Sequence, residues 1–174
     1  ADYQQHQAWT WEHPALSRAR FCCGDIAIGR QFDAIRQAVL CQARDKTRLR
    51  EEVLAMRQKM RDGHPNPSGL FDLKHDAGGL VDLEFAVQYL VLAEAATHPE
   101  MTANIGNIAL LARASELGLL AMELTLPAAN AYRELRRLQH QVKLQGEEFA
   151  RVESTLVAET TAAVKQLWRA VFED

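Results

Sequence analysis

The sequence has 174 residues, 48% of them apolar and 25% charged, which is enough for one sizeable core and too few for two comfortable domains, so a single domain over 1–174 is expected. A formal charge of −3 gives no general attraction to the phosphates of nucleic acid or to an anionic membrane, and excludes a dedicated binder of either. No apolar run reaches the about 18 to 20 residues needed to span a bilayer, and the start at Ala1-Asp2-Tyr3-Gln4 lacks the basic and apolar regions of a signal peptide, so a cytoplasmic protein is expected.

Residues 1–13 carry Tyr3, Trp9 and Trp11 among glutamines and histidines, as if the chain entered in the middle of a structure, and this predicts a piece of a longer polypeptide. Thr10 can cap a first helix over 10–22, with Pro14 early enough to be tolerated and Gly24 after its end. Asp25 caps a second, whose apolar stripe Ile28, Phe32, Ile35, Val39 and Leu40 should face a core while Arg30, Asp33 and Arg36 face away. Asp45 opens a third with Leu49, Val53, Met56 and Met60 inside and Arg50, Glu51, Arg57 and Lys59 outside, stopping at Gly63.

His64 to Gly79 reads as the one long loop, dense in proline, glycine and charge. Leu80 to Ala96 is apolar on nearly every side and should be the buried central helix. Another amphipathic helix spans Asn104 to Leu117, and Pro127 lies in the first turn of a long one with a basic face of Arg133, Arg136, Arg137 and Lys143. A last helix presents Leu156, Val164, Leu167, Trp168 and Val171. No stretch shows strand periodicity, so the fold class is all-α, a bundle of about six or seven helices.

The most unusual segment is Lys74-His75-Asp76-Ala77-Gly78-Gly79-Leu80-Val81-Asp82-Leu83-Glu84-Phe85. Its glycines allow positive φ and close approach of another surface, and Asp82 and Glu84 place carboxylates in the first turns of an apolar helix. One reading is structural, with Asp82 complementing the helix dipole and Glu84 pairing with Arg18 or Arg20. The other makes Lys74, Asp76, Gly78, Gly79, Asp82 and Glu84 the wall of a site completed by a partner domain, where Lys74 meets a phosphate. Both can hold together.

The segment is neither a P-loop nor a dinucleotide fingerprint. The six histidines show no metal-ligand spacing, and the three cysteines Cys22, Cys23 and Cys41 read as reduced packing residues. With no nucleophile elbow and no recognisable triad, no catalytic residue and no metal ligand is assigned within the chain. Trp9, Trp11 and Trp168 read as packing residues.

The run Phe71-Asp72-Leu73-Lys74-x-Asp76-x-Gly78-Gly79-Leu80-Val81-Asp82-Leu83-Glu84-Phe85, then Gln88-Tyr89-Leu90-Val91-Leu92, resembles the signature of the helical domain of glutamine synthetase adenylyltransferase. Upstream, Trp9-Thr10-Trp11-Glu12-His13-x-Ala15-Leu16-x-Arg18-Ala19-Arg20 resembles the segment after the nucleotidyltransferase domain in the adenylylating half of that family. Leu83 stands where the family commonly has isoleucine, a nearly volume-conserving change. The resemblance implies a fold of the helical-domain type shared with PII uridylyltransferase, and a bifunctional parent enzyme that adds AMP to glutamine synthetase and removes it.

It also implies magnesium and ATP bound by a preceding nucleotidyltransferase domain, with glutamine synthetase and the PII signal protein as partners. The Gly-Ser and paired aspartates of that domain do not occur here, so the chain alone is expected to be inactive and to need no cofactor of its own. Lys74, Asp76, Gly78, Gly79, Asp82 and Glu84 would then face the catalytic domain, and Trp11, Glu12, Arg18 and Arg20 would line the junction. The alternatives are a regulatory binding module that docks an acidic partner on Arg133, Arg136 and Arg137, and the helical domain of a PII uridylyltransferase.

Overall fold

A computed structural model describes Tyr3, Ala8 and residues 12–173. Among them are seven α-helices: α1 His13–Arg18, α2 Ile26–Leu40, α3 Lys46–Asp62, α4 Leu80–Glu94, α5 Asn107–Glu116, α6 Met122–Leu144 and α7 Ala158–Phe172. Helix α4 is the hub. It is buried on nearly every side, as its unbroken apolar run requires, and packs against α1, α3, α5, α6 and α7. Leu83, Val87, Leu92, Leu111, Leu135, Val164 and Leu167 belong to the single apolar core around it.

The caps read from the sequence at α2 and α3 are present. The Asp25 carboxylate accepts the Ala27 N–H at 2.7 Å, and Asp45 accepts the N–H groups of Thr47 and Arg48 at 2.9 and 3.0 Å. Gly63 ends α3, and Gly118, in the left-handed region at φ 70°, closes α5.

Several expectations are corrected. Helix α1 is six residues long rather than spanning 10–22. Its last carbonyls are claimed by Arg36, whose Nε donates to Leu16 O at 2.6 Å and Nη2 to Ser17 O at 2.9 Å, and the chain turns extended at Ala19. Arg36 is therefore buried and not solvent-facing, while Ile28 of the expected core stripe is 64% exposed and Ile35 is also exposed. Pro127 lies inside α6 rather than in its first turn, because the helix begins at Met122.

The long loop contains a strand. Phe71–Asp72 (β1) pairs antiparallel with Arg151–Val152 (β2), Phe71 opposite Val152 and Asp72 opposite Arg151, so the segment before α7 fastens the loop. Leu156, expected in the core, is exposed, and α7 starts only at Ala158. Cys22 and Cys23 are exposed rather than packed, and Cys41 is half-buried. Trp168 is half-buried, its ring 4.3 Å from that of Phe172, whereas Trp9, Thr10 and Trp11 lie outside the described residues.

Candidate functional site

The glycine-containing segment is a turn wrapped over the start of α4. Asp72 Oδ1 accepts the N–H groups of Lys74 and His75, both at 2.9 Å, while Asp76 Oδ2 accepts the Asp72 N–H and the Asn66 side-chain amide, both at 2.8 Å. Two aspartates thus shape the turn through side chain to backbone bonds. The turn in turn satisfies helix donors that would otherwise be orphaned: Gly79 N–H reaches Asp76 O at 2.9 Å, Leu80 N–H reaches Leu73 O at 3.0 Å, and Val81 N–H reaches Lys74 O at 3.1 Å.

That wrapping explains the glycine pair. A Cβ at Gly79 would lie 2.9 Å from Leu73 O, 3.0 Å from Asp76 O and 3.1 Å from Lys74 O, and one at Gly78, where φ is 89°, would lie 2.9 Å from Thr161 O on α7. The close surface is the chain's own.

Asp82 does not face outward. It is 4% exposed, and its Oδ1 accepts Arg57 Nε at 2.5 Å while its Oδ2 accepts the Gly78 N–H at 2.6 Å. Arg57, 2% exposed, also donates from Nη2 to His75 O at 2.7 Å, so α3, α4 and the turn are joined by one buried ion pair. The reading of Arg57 as a surface residue of α3 is corrected with it.

Glu84 looks elsewhere. Two residues along a helix rotate the side chain by about 200°, so Asp82 points to α3 and Glu84 to α1 and α6. The Glu84 carboxylate, 21% exposed, accepts the Tyr132 hydroxyl at 3.0 Å and stands 3.5 Å from Arg18, one of the two arginines expected for it. The two acids cannot line one pocket. Burial, and then Glu84, pushes the Tyr132 hydroxyl pKa up.

Of the remaining motif residues, Lys74 is exposed and Asp76 half-buried. Among the junction residues Glu12 accepts the Tyr3 hydroxyl at 2.9 Å, and Arg18 and Arg20 line a cleft of about 670 Å³ together with Asn104, Gly106 and Asn107 at the start of α5. Asn104 Nδ2 closes one side by donating to Ala19 O at 2.9 Å. The structure therefore joins one motif residue, Glu84, to one junction residue, Arg18, and leaves Lys74 free to meet another surface.

Arg57 and Tyr132 were missed from the sequence. Arg57 had a signal: it sits at helical spacing from Val53 and Met60, a cation in the middle of an apolar stripe, with an acid in an apolar helix to match. Tyr132 had none beyond its place among the apolar positions of α6.

The turn also carries a pair of stacked imidazoles. The His64 and His75 rings lie 4.0 Å apart and 6° from parallel. The His75 pKa is lowered, first by burial, then by His64, Lys74 and Arg57, with Asp72 pulling the other way. An unfolded histidine titrates near about 6.5, so on acidification the unfolded chain takes up the proton first. Stability should fall as pH drops below that value and level off once the lowered folded pKa is passed. Urea midpoints of the wild type should drop more steeply between about pH 7 and 5 than those of His75→Gln; equal slopes would remove His75 from the linkage.

No group of three or more His, Cys, Asp or Glu side chains among the described residues is placed to hold a metal ion, and no helix among them is long and apolar enough to cross a membrane. Two family models match the chain. One, described as glutamate-ammonia ligase adenylyltransferase, covers residues 1–35, and the other, described as GlnD PII-uridylyltransferase, covers residues 45–170, beginning at the Asp45 cap of α3. The chain belongs to the family that the second model describes, GlnD PII-uridylyltransferase.

Its similarity to adenylyltransferases runs through the whole length. It is 50% identical over 98% of the chain to the bifunctional glutamine synthetase adenylyltransferase/adenylyl-removing enzyme of Nitrosomonas eutropha, 52% identical over 99% to that of Bordetella bronchiseptica, and 53% identical over 95% to that of Burkholderia mallei. It covers 20%, 18% and 18% of those relatives. The chain thus spans about a fifth of the length of the curated relatives it matches.

Proposed function

We propose that the chain is the helical portion of a bifunctional enzyme that adenylylates and deadenylylates glutamine synthetase in nitrogen regulation, and that it supports a neighbouring nucleotidyltransferase domain without supplying a reactive group. The observation that carries this is the half-identity, over nearly the whole chain, to enzymes so named. A supporting role is favoured by the buried carboxylate of Asp82, which is consumed by Arg57 and Gly78.

The neighbouring domain would sit against the start of α2. Ile26 and Ile28 are 66% and 64% exposed at the start of α2, inside the segment matched by the adenylyltransferase model, with Phe21 and Ile35 partly exposed at 37% and 36%. Arg18, Arg20 and Lys74 would meet the same domain or its nucleotide as cations. Magnesium and ATP would be held by that domain. PII is the proposed signal partner, supported by the uridylyltransferase model over 45–170, and the cytoplasm is the proposed location.

The test is labelling by the full-length polypeptide. With ATP and purified glutamine synthetase, AMP should appear on glutamine synthetase; transfer of UMP to PII instead would favour the uridylyltransferase reading. Ile26→Asp with Ile28→Asp should lower AMP transfer by about tenfold or more. Because these side chains are 66% and 64% exposed, the melting temperature of the isolated chain should hardly move, as for surface changes worth within about 0.5 kcal/mol.

A further inference from the structure

Along the outer side of α6 runs an open groove of about 750 Å³ in which Ile108, Tyr132 and Leu144 supply apolar surface and Arg133, Arg136 and Arg137 supply charge. None of the residues lining it is acidic, although the chain as a whole carries −3. Arg133, Arg137 and Leu144 recur at helical spacings of four and seven, a single stripe that rises roughly 16 Å, or three helical turns. Leu144 is 88% exposed at its end.

Among the described residues the arginines are held by neighbours on their own helix. Arg133 donates to Asn130 Oδ1 at 2.6 Å, Arg136 to Gln139 Oε1 at 3.0 Å, and Arg137 pairs with Glu134 at 2.7 Å. Such exposed contacts are worth little and are readily exchanged for a partner's carboxylates. The guanidinium groups stand between apolar residues, so an occupant that satisfies both must alternate acids with large apolar side chains.

We propose that this groove docks an acidic, leucine-bearing helical segment of a partner protein. The three-turn length of the stripe fits a helix laid along it, with apolar anchors one turn apart between glutamates or aspartates. Nucleic acid fits less well, because an extended polyanion would run beyond the local arginines into the field of a net negative molecule, whereas a short segment feels only the groove within a screening length of about 10 Å. The inference does not depend on the adenylyl-transfer reading, and a failure of one leaves the other standing.

The test is fluorescence anisotropy of the 174-residue chain with a labelled helical peptide of about 14 residues carrying leucines at i, i+4, i+7 and i+11 among glutamates. The expected result is saturable binding, weakened about tenfold or more by Arg133→Glu with Arg137→Glu and separately by Leu144→Ser. Both variants should keep the wild-type circular dichroism melt, since all three side chains are exposed. Absence of saturable binding, binding that these variants leave unchanged, or equal binding by a leucine-free acidic peptide or a single-stranded oligonucleotide would each overturn the proposal.

Discussion

Replacing Arg57 with alanine should destabilise the chain by about 3–5 kcal/mol. The change strands the Asp82 carboxylate in an interior where it keeps only the Gly78 N–H, and also removes the donor to His75 O that ties the turn to α3. For a chain of this size the loss corresponds to a fall in melting temperature of roughly 6 to 20 °C, readable by circular dichroism. A control isolates the cause. Arg57→Met combined with Asp82→Leu removes both charges together, and should recover most of the loss, because a buried ion pair is seldom better than well-packed apolar residues of similar volume. Recovery should stop short of wild type by about 1–3 kcal/mol, since the Gly78 N–H is then left without its acceptor. A single variant as stable as wild type would mean that the pair does not fasten the turn.

The second large effect is expected at the glycine pair. Gly78→Ala forces a side chain into the left-handed region, at roughly 1–2 kcal/mol, and drives its Cβ against Thr161 O and Cβ, at about 1–3 kcal/mol of overpacking. The combined loss of about 2–5 kcal/mol should appear as a lower urea midpoint. Gly79→Ala differs in kind, because its φ is negative and its obstacle is three carbonyl oxygens of the turn itself. It should cost a similar amount by pushing the turn off the α4 terminus. Alanine at either position with an unchanged midpoint would show that the turn can relax away from α7 and α4.

The helices were legible where pattern and caps agreed. Asp25 and Asp45 announce α2 and α3, and the unbroken apolar run from Leu80 announces the central helix. What the sequence concealed was partnership at a distance. Arg36 and Arg57 read as solvent-facing because charge at helical spacing usually is, yet each is buried by a specific acceptor: the carbonyls ending α1 for Arg36, Asp82 and His75 O for Arg57. The two-residue pairing of β1 and β2 is too short to leave an alternating pattern, and only the fold brings residues 71 and 152 together. Ile28 and Ile35 show the converse error, an apolar stripe assigned to a core that the described residues do not complete.

At the candidate site, the motif was correctly singled out as unusual, but spacing alone could not say for whom its glycines and acids were arranged. Counting residues around α4 separates Asp82 from Glu84 by more than half a turn, which already argues against a shared wall. Tyr132 and Arg18 emerge as the partners of Glu84 only once α1 and α6 are packed on α4.

The measurement that decides most directly whether the Asp82 carboxylate holds the fold or touches the reaction is Asp82→Asn in the full-length polypeptide, followed by AMP transfer to glutamine synthetase and by the melting temperature of the same sample. The geometry predicts a lowered melting temperature and, where both proteins are folded, a transfer rate within about threefold of wild type. An unchanged melting temperature with transfer down by roughly a hundredfold would contradict it, and would place the carboxylate in the chemistry after all.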